Sequence, residues 1–549
     1  LISGFYLSNL LKLTSFVMKY KILIFALQLS LTIPFSFSQV SQEWAKIFQG
    51  NSGAYVEARD FQKDISGNLI ISGYTASGNN ADFLILKYDS YGQLIFSTQF
   101  DSTSEGAWAT TSDNLGNIYV TGDISVIGGK ILTLKYDPIG NLLWKRVLNP
   151  VNFGSMNVID IKWHNENLYL AGNVSDQEGY DIYITKYDNS GNQLWFKRYN
   201  SPNDSFDFAK ELHLDQYNNI YICGTSFVSI DDDDYLLAKF DSNGKLIWDK
   251  VIDDGNAENV LTSSYLDELG NIYLTGSSNG KYFTVKYNSL GSELWRRFYS
   301  GPEGGSEPQA IWGDKDHNIY VTGFSKDSTI INFNIATLKY SPSGDSLWSQ
   351  RYSGPGLNWD KPLAIAMDRN DNVYVTGYIT NLNDQDFITL KYDKNGVFKW
   401  DQSYNSGGFD VAFGITCDDS GNVYICGNSS ITGGSSSIRT IKYSQPNAIS
   451  NISSHIPSQF SLSQNYPNPF NPVTKIKFNI PAAVETTRGV VSLKIHDILG
   501  REVAVLVNEQ LRPGSYEVDW DASAFPSGVY FYSITSGSFK ETRKMVLLK

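Results

Sequence analysis

Two alternating patterns recur along most of this chain. One is I-Y-V-T-G, as at Ile118 to Gly122; the other is I-L-T-L-K-Y-D, as at Ile131 to Asp137. Apolar and polar side chains alternate with a period of two, and Asp, Gly and Asn bound each run, which predicts strands. A looser run precedes the first pattern, as at Phe208 to Asp215. An L-W-x-x-x-Y run follows the second, as at Leu194 to Tyr199. Four strand signals, A to D in order, therefore make one unit.

The unit repeats. Its C-strand lysines are Lys87, Lys135, Lys186, Lys239, Lys286, Lys339, Lys391 and Lys442, a period of about fifty residues. The B strands reach Gly73, Gly122, Gly172, Gly224, Gly276, Gly323, Gly377 and Gly427. Four short antiparallel strands, repeated, predict an all-β fold, a β-propeller with four-stranded blades. The last copy, Phe409 to Tyr443, lacks a D strand, while an orphan D-like stretch, Glu43 to Phe48, precedes the first A strand. That stretch is expected to complete the last blade and close the ring without leaving an open edge. Eight copies with this closure predict eight blades; a seven-bladed ring with one stray copy is the alternative.

The turns separate two ends. The A–B and C–D turns are monotonous, with Asp at the start to bond backbone amides and Gly or Asn to supply positive φ. The B–C and D–A loops vary in length and content, Asp123 to Lys130 being one of them. Binding is expected at the variable end.

The D-x-x-G-N-x-Y-V-T-G and K-Y-D-x-x-G-x-x-x-W elements resemble the repeat of secreted bacterial proteins known as the SBBP-type β-propeller repeat, over about Glu43 to Tyr443. The resemblance implies a propeller and a secreted protein; it implies no shared chemistry.

Composition narrows the partners. There are 44 Lys and Arg against 57 Asp and Glu, a net charge of −13. This acidity argues against general nucleic-acid binding, which needs basic phosphate contacts. Three cysteines, Cys223, Cys417 and Cys426, are no disulfide framework. Cys223 and Cys426 share one place in their repeats and are expected as small buried side chains, a Cys417–Cys426 bridge being the alternative. Residues 18–38 have a basic start, an apolar run and a small-residue end, which predicts a signal peptide. Residues 1–17 are then expected to be an upstream, non-native extension. A membrane anchor is the rival reading of the apolar run.

Candidate chemistry is sparse. Trp44, Trp144, Trp195, Trp248, Trp295, Trp348 and Trp400, with Phe96 in the first copy, point to packing between blades. The repeated lysines are expected to be solvated strand residues. Acids recur where strand A begins: Glu57, Asp207, Glu258, Glu307, Asp360 and Asp410. They are expected to ring the channel mouth, either as a ligand site or bonded to their own loops. Aromatic residues share those loops: Tyr55, Trp108, Phe206, Trp359 and Phe409. From both sets the candidate ligand-binding residues are Glu57, Trp108, Asp207, Glu258, Glu307, Trp359, Asp360 and Asp410. Asp231 to Asp234 lacks the spacing of a calcium loop, and the five histidines show no paired ligand spacing. There is no nucleophile elbow and no phosphate loop, so no catalytic residue, metal or cofactor is assigned.

Residues 444–463, rich in Ser, Asn and Pro, are expected to be a linker. Residues 464–549 alternate in six short strands, which predicts a small Ig-like β-sandwich. This segment resembles the type A C-terminal sorting domain of the type IX secretion system. The resemblance rests on Y-P-N-P-F-N-P from Tyr466, I-H-D-I-L-G-R-E-V through Gly500, P-S-G-V-Y-F-Y with Gly528 and Tyr530, and the final K-M-V-L-L-K at Lys544. Within it Tyr466, Pro467, Asn468, Pro469, Gly500, Gly528, Tyr530 and Lys544 are the motif residues. The resemblance implies the type IX machinery as a partner. It also implies delivery to the extracellular space or outer-membrane surface of a Gram-negative bacterium, with no transmembrane span in the mature protein. The functional expectation is a non-enzymatic binding or interaction module, with a glycan or protein ligand on the variable face. The alternative is an extracellular hydrolase or lyase acting on polysaccharide or peptide through the channel-mouth acids.

Overall fold

The computed structural model describes residues 40–549, except 51–53, 79, 102–105, 125–128, 150–153, 176–178, 203–205, 230–231, 256–258, 328–331, 356–358, 382–383, 419–420, 432–435, 446–449, 454–455, 482–490, 510, 512, 523–524 and 538. The expected signal peptide, 18–38, and the extension, 1–17, lie outside the described residues. The regular structure described is all strand.

The chain forms two compact units, one of them Val40–Gln445. In it, residues 55–100, 107–148, 156–199, 206–252, 259–299 and 306–352 each make a four-stranded antiparallel sheet in sequential order. The remaining strands form one eight-stranded sheet made of two such sets. One set spans residues 361–404; the other is Gly408–Cys417, Val423–Ile431 and Ser436–Ser444, with Ser41–Gln49 added at its edge. A single parallel bridge, Gln385 to Phe409, joins the two sets. The A strands of successive repeats pack on one another, and Gly408–Cys417 packs on Tyr55–Lys63, so the array closes into a β-propeller.

The closing strand is the orphan stretch at the N-terminus. Ser41–Gln49 runs antiparallel to Ser436–Ser444, with Ala45 opposite Ile441 and Phe48 opposite Ile438. The cores lie between neighbouring sheets. Ile70, Phe83 and Ile85 pack with Ile118, Val120 and Leu134 of the next repeat, and Tyr424, Cys426 and Ile438 of the last repeat pack with Val56, Leu69 and Leu84 of the first. Burial of these faces is the main favourable term in closing the ring.

Every A strand bulges at one place, just after the residue opposite the B-strand glycine; Ala58 and Asp60 flank the first bulge, and Ala412 and Gly414 the last. The glycines themselves are required by close approach. A Cβ on Gly73 would lie 2.0 Å from the carbonyl oxygen of Glu57.

The other unit contains Pro446–Lys549. Two four-stranded sheets share one core that includes Ile476, Leu493, Trp520, Tyr532 and Met545. The expected linker, 444–463, contributes to this unit: Ser450–Ser453 and Ser461–Leu462 are strands of its first sheet.

Candidate functional site

At the turn end, the repeated residues bind each repeat to the next. Lys239 Nζ donates to the carbonyl of Ser289 in the next C–D turn at 3.0 Å, and Trp248 Nε1 donates to the same oxygen at 3.3 Å. Lys286 and Trp295 share Pro342 O in this way, and Lys339 and Trp348 share Lys394 O. The ammonium groups also lie over B-strand tyrosines, as Lys239 does over Tyr221 at 4.7 Å. Lys87 reaches Asp64 of its own A–B turn at 3.0 Å. Six of the eight lysines are buried, which corrects the expectation that they are solvated. Burial lowers the pKa of Lys239 and Lys286, against the pull of a nearby aspartate. The invariant parts of the repeat are thus consumed as scaffold.

At the loop end, the five described acids of the aligned six separate into two classes. Asp207 and Asp410 lie two residues before the partner of the B-strand glycine, and Asp360 precedes Lys361 in the same register. Glu57 and Glu307 lie one residue before it. A shift of one residue turns a strand side chain to the opposite face. All three aspartates are buried and accept hydrogen bonds from their own D–A loops: Asp207 from Ser201 N at 2.5 Å, Asp360 from Gly354 N at 2.6 Å, and Asp410 from Ser406 N at 2.7 Å. Burial pushes Asp360 up to about 6, against the Gly354 and Thr380 amides, and pushes Asp207 up as well. Glu258 lies outside the described residues.

The two described glutamates stand elsewhere. Glu57 accepts from the hydroxyls of Tyr55 at 2.9 Å and Tyr74 at 2.7 Å, and pairs with Arg59 at 2.9 Å. The Arg59 guanidinium lies 4.6 Å from the ring of Trp108, which is 37% exposed. Glu307 accepts from Gln309 Nε2 at 2.6 Å. Trp359, 46% exposed, packs on Phe333 at 4.4 Å, while Lys361 Nζ lies over Phe324. Phe206 is exposed and groups with Tyr180, Phe208 and Phe227. Tyr55 and Phe409 are exposed as well. The loop end therefore carries aromatic surface at several repeats, and the glutamate of one group is already bonded in place.

Sequence reasoning missed a set of polar side chains further along the A strands. Asp60 accepts from Thr110 N at 2.7 Å, Asp160 from Leu212 N at 3.1 Å, and Glu211 from Ser264 N at 2.8 Å, each donor lying in the next repeat. Glu211 also takes Ser264 Oγ at 2.6 Å, and His213 Nε2 contacts that oxygen at 2.7 Å. Burial acts to raise Glu211, but His213 and Ser264 outweigh it and its pKa is lowered. The readable signal was a carboxylate two places beyond the residue opposite the B-strand glycine, with a polar residue two places on. Among the described residues, no group of three or more His, Cys, Asp or Glu is placed to hold a metal ion. The three cysteines are free, with Cys417 opposite Val423 and Cys426 opposite Gly414.

In the C-terminal domain the sorting-motif residues converge on the last strand. Asn468 Oδ1 accepts from Val546 N at 3.0 Å, Leu548 N donates to Phe470 O, and Phe470 N donates to Val546 O. Gln464 Nε2 donates to Lys544 O at 2.9 Å. Tyr530 OH donates to Pro526 O, and Gly528 starts the strand that pairs with Phe539–Leu547. Gly500 turns the chain with φ 77°, and Tyr466 is 79% exposed between Asn465 and Pro467.

The chain is a β-propeller followed by a two-sheet β domain. Residues 464–548 match the family described as secretion system C-terminal sorting domain, so the C-terminal domain is a sorting domain and supports export by the type IX system. Over 453 residues the chain is 21% identical to an uncharacterized WD repeat-containing protein of Acanthamoeba polyphaga mimivirus, covering 65% of this chain and 32% of that one. The structure is similar to Sqt1 from Chaetomium thermophilum, at a TM-score of 0.49 and 10% identity, over 74% of this chain and 100% of that one. It is also similar to a periplasmic gluconolactonase of Pseudomonas aeruginosa, at 0.40 and 13%, over 63% and 98%. Likeness at this level says nothing about activity. No helix among the described residues is long and apolar enough to cross a membrane.

Proposed function

We propose that this is an exported eight-bladed propeller of the SBBP type that binds a glycan or protein at its loop end. Its signal peptide is residues 18–38, and the sorting domain, an Ig-like sandwich, directs it to the cell surface or medium. The observation that carries the binding reading is the exposed aromatic surface at the loop end, with Trp108 held against Arg59 and Arg59 held by Glu57. Preorganised aromatic surface with polar groups at its edge is a common basis of recognition. The acids of the alternative, hydrolytic reading fit it less well, because Asp207, Asp360 and Asp410 are buried and each is bonded to its own loop. Trp108, Trp359, Glu57 and Glu307 are the ligand contacts on this reading.

A glycan and peptide array, probed with the full exported chain, tests it. Trp108→Ala and Trp359→Ala are expected to weaken captured ligands by tenfold or more, about 1.4 kcal/mol. Unchanged capture by both variants, or turnover of a ligand that survives Glu57→Gln and Trp108→Ala, would remove the loop end from the function.

A further inference from the structure

One column of the repeat breaks its own rule in the last copy. Opposite the B-strand glycine, the C strand carries Leu84, Leu132, Tyr183, Leu236, Phe283, Ala336 and Ile388, and then Arg439. Arg439 is only 5% exposed. Its Nε and Nη1 have no hydrogen-bond partner among the described residues, and its guanidinium lies 5.8 Å from the ring of Tyr404. A buried guanidinium without a counter-charge is costly, which is why buried charges in proteins are paired.

Two further groups on the same face are unspent. Ser437 lies two residues before Arg439 on the strand, and Ser429 lies directly opposite Ser437. Both are buried, at 2% and 1% exposure, and neither hydroxyl has a partner among the described residues. The alternate residues of these strands face the first repeat, where Ser436 Oγ takes Val56 N and Asn428 Oδ1 takes Ala58 N. Ser429, Ser437 and Arg439 therefore face the seventh repeat, where Tyr404 lies. Residues two apart on a strand sit about 7 Å apart, within reach of an arginine side chain. Asp410, opposite Ser429, is engaged with its own loop, its two oxygens taking the N–H and O–H of Ser406.

We propose that these unpartnered groups between the last two repeats bind an oxyanion of the carboxylate or phosphate class. Arg439 supplies the counter-charge, and Ser429 and Ser437 donate hydroxyl hydrogens. A guanidinium fork matches two oxygens of such a group, and hydroxyls complete its shell. The site is separate from the aromatic surface near Trp108 and does not depend on it.

Thermal melting of the full chain in HEPES, titrated with sodium acetate or with inorganic phosphate, tests the site; sodium chloride at matched ionic strength is the control. A saturable rise in Tm is expected for one of the two oxyanions, and whichever saturates at lower concentration tells a carboxylate ligand from a phosphate. Arg439→Leu restores the residue of three other repeats; it should abolish the saturable rise and melt no lower than the parent in HEPES alone. The Ser429→Ala/Ser437→Ala double variant should raise the saturating concentration about tenfold or more, and it decides the matter if the leucine variant does not fold. A rise that never saturates in the parent chain, or one that persists unchanged in these variants, overturns the site and leaves water alone to meet these groups.

Discussion

Trp400 Nε1 donates to the side-chain oxygen of Gln445 at 3.4 Å. Lys391 Nζ donates to the same oxygen. In earlier repeats this acceptor is a main-chain carbonyl of the next C–D turn. The eighth repeat has no such turn, because its fourth strand comes from the other end of the chain. Gln445 takes the vacant place, and its amide nitrogen also reaches Tyr374 OH and Gly421 O.

Gln445→Ala is therefore expected to destabilise the propeller by about 1–3 kcal/mol, since it strands two part-buried donors. A chain ending at Tyr443 should show at least the same loss. Urea denaturation monitored by tryptophan fluorescence measures it; equal midpoints for parent and variant would remove this role.

The Lys87–Asp64 pair lies almost fully inside the protein, its side chains 2% and 1% exposed. Lys87→Met should cost about 3–5 kcal/mol, because it leaves the Asp64 carboxylate buried without its cation. Adding Asp64→Asn should recover part of the loss, as Ser66 N and Asn68 N still find an acceptor. A double-mutant cycle with no coupling would show that the two do not act as a pair.

The strand order and the turn chemistry were legible because the unit recurs with a period of two within strands and fixed Asp and Gly positions, and the closing strand because one D-like stretch stands before the first A strand while the last copy lacks one. The face of each loop-end acid was not. Glu57 and Asp207 look equivalent by eye, but the length of the approaching loop varies, and one residue of slip reverses the side chain. The burial of the lysines was hidden too. The partners of Lys239 lie 24 residues before it, at Asp215, and 50 after it, at Ser289, so no local window contains them. Gln445 and Arg439 each fill a repeated position with a different residue, which a search for recurrence passes over.

Asp360 gives the fold a pH dependence with a defined sign. Burial raises its pKa in the folded state to about 6, above the ordinary aspartate value, so folding favours its protonated form. Its contribution is fully present below the ordinary value of 3.8, falls as the pH rises, and is lost once the pH passes about 6. Asp360→Asn keeps an oxygen for the Gly354 amide without the charge. The variant should match the parent near pH 4 and exceed it by up to about 2 kcal/mol at pH 8. Denaturation at the two pH values checks this; a variant weaker than the parent at pH 8 would contradict it.

The sorting motif joins residues some eighty positions apart in sequence. Asn468 Oδ1 holds Val546 N, and Phe470 brackets the last strand by accepting from Leu548 N and donating to Val546 O. The Y-P-N-P-F-N-P segment and the terminal K-M-V-L-L-K are thus two halves of one structural strap. Asn468→Ala should loosen it by about 1 kcal/mol, the worth of one hydrogen bond, and leave the propeller transition unchanged, since the propeller has cores of its own. Removing residues 466–549 should have the opposite pattern. The propeller keeps Gln445 and its full ring of contacts, so its fold survives while delivery fails. The truncated chain should accumulate folded in the periplasm, scored by fractionation and by protease resistance of the propeller. Normal surface delivery of that chain would refute the sorting role, whereas loss of protease resistance would show that the propeller needs the second domain to fold.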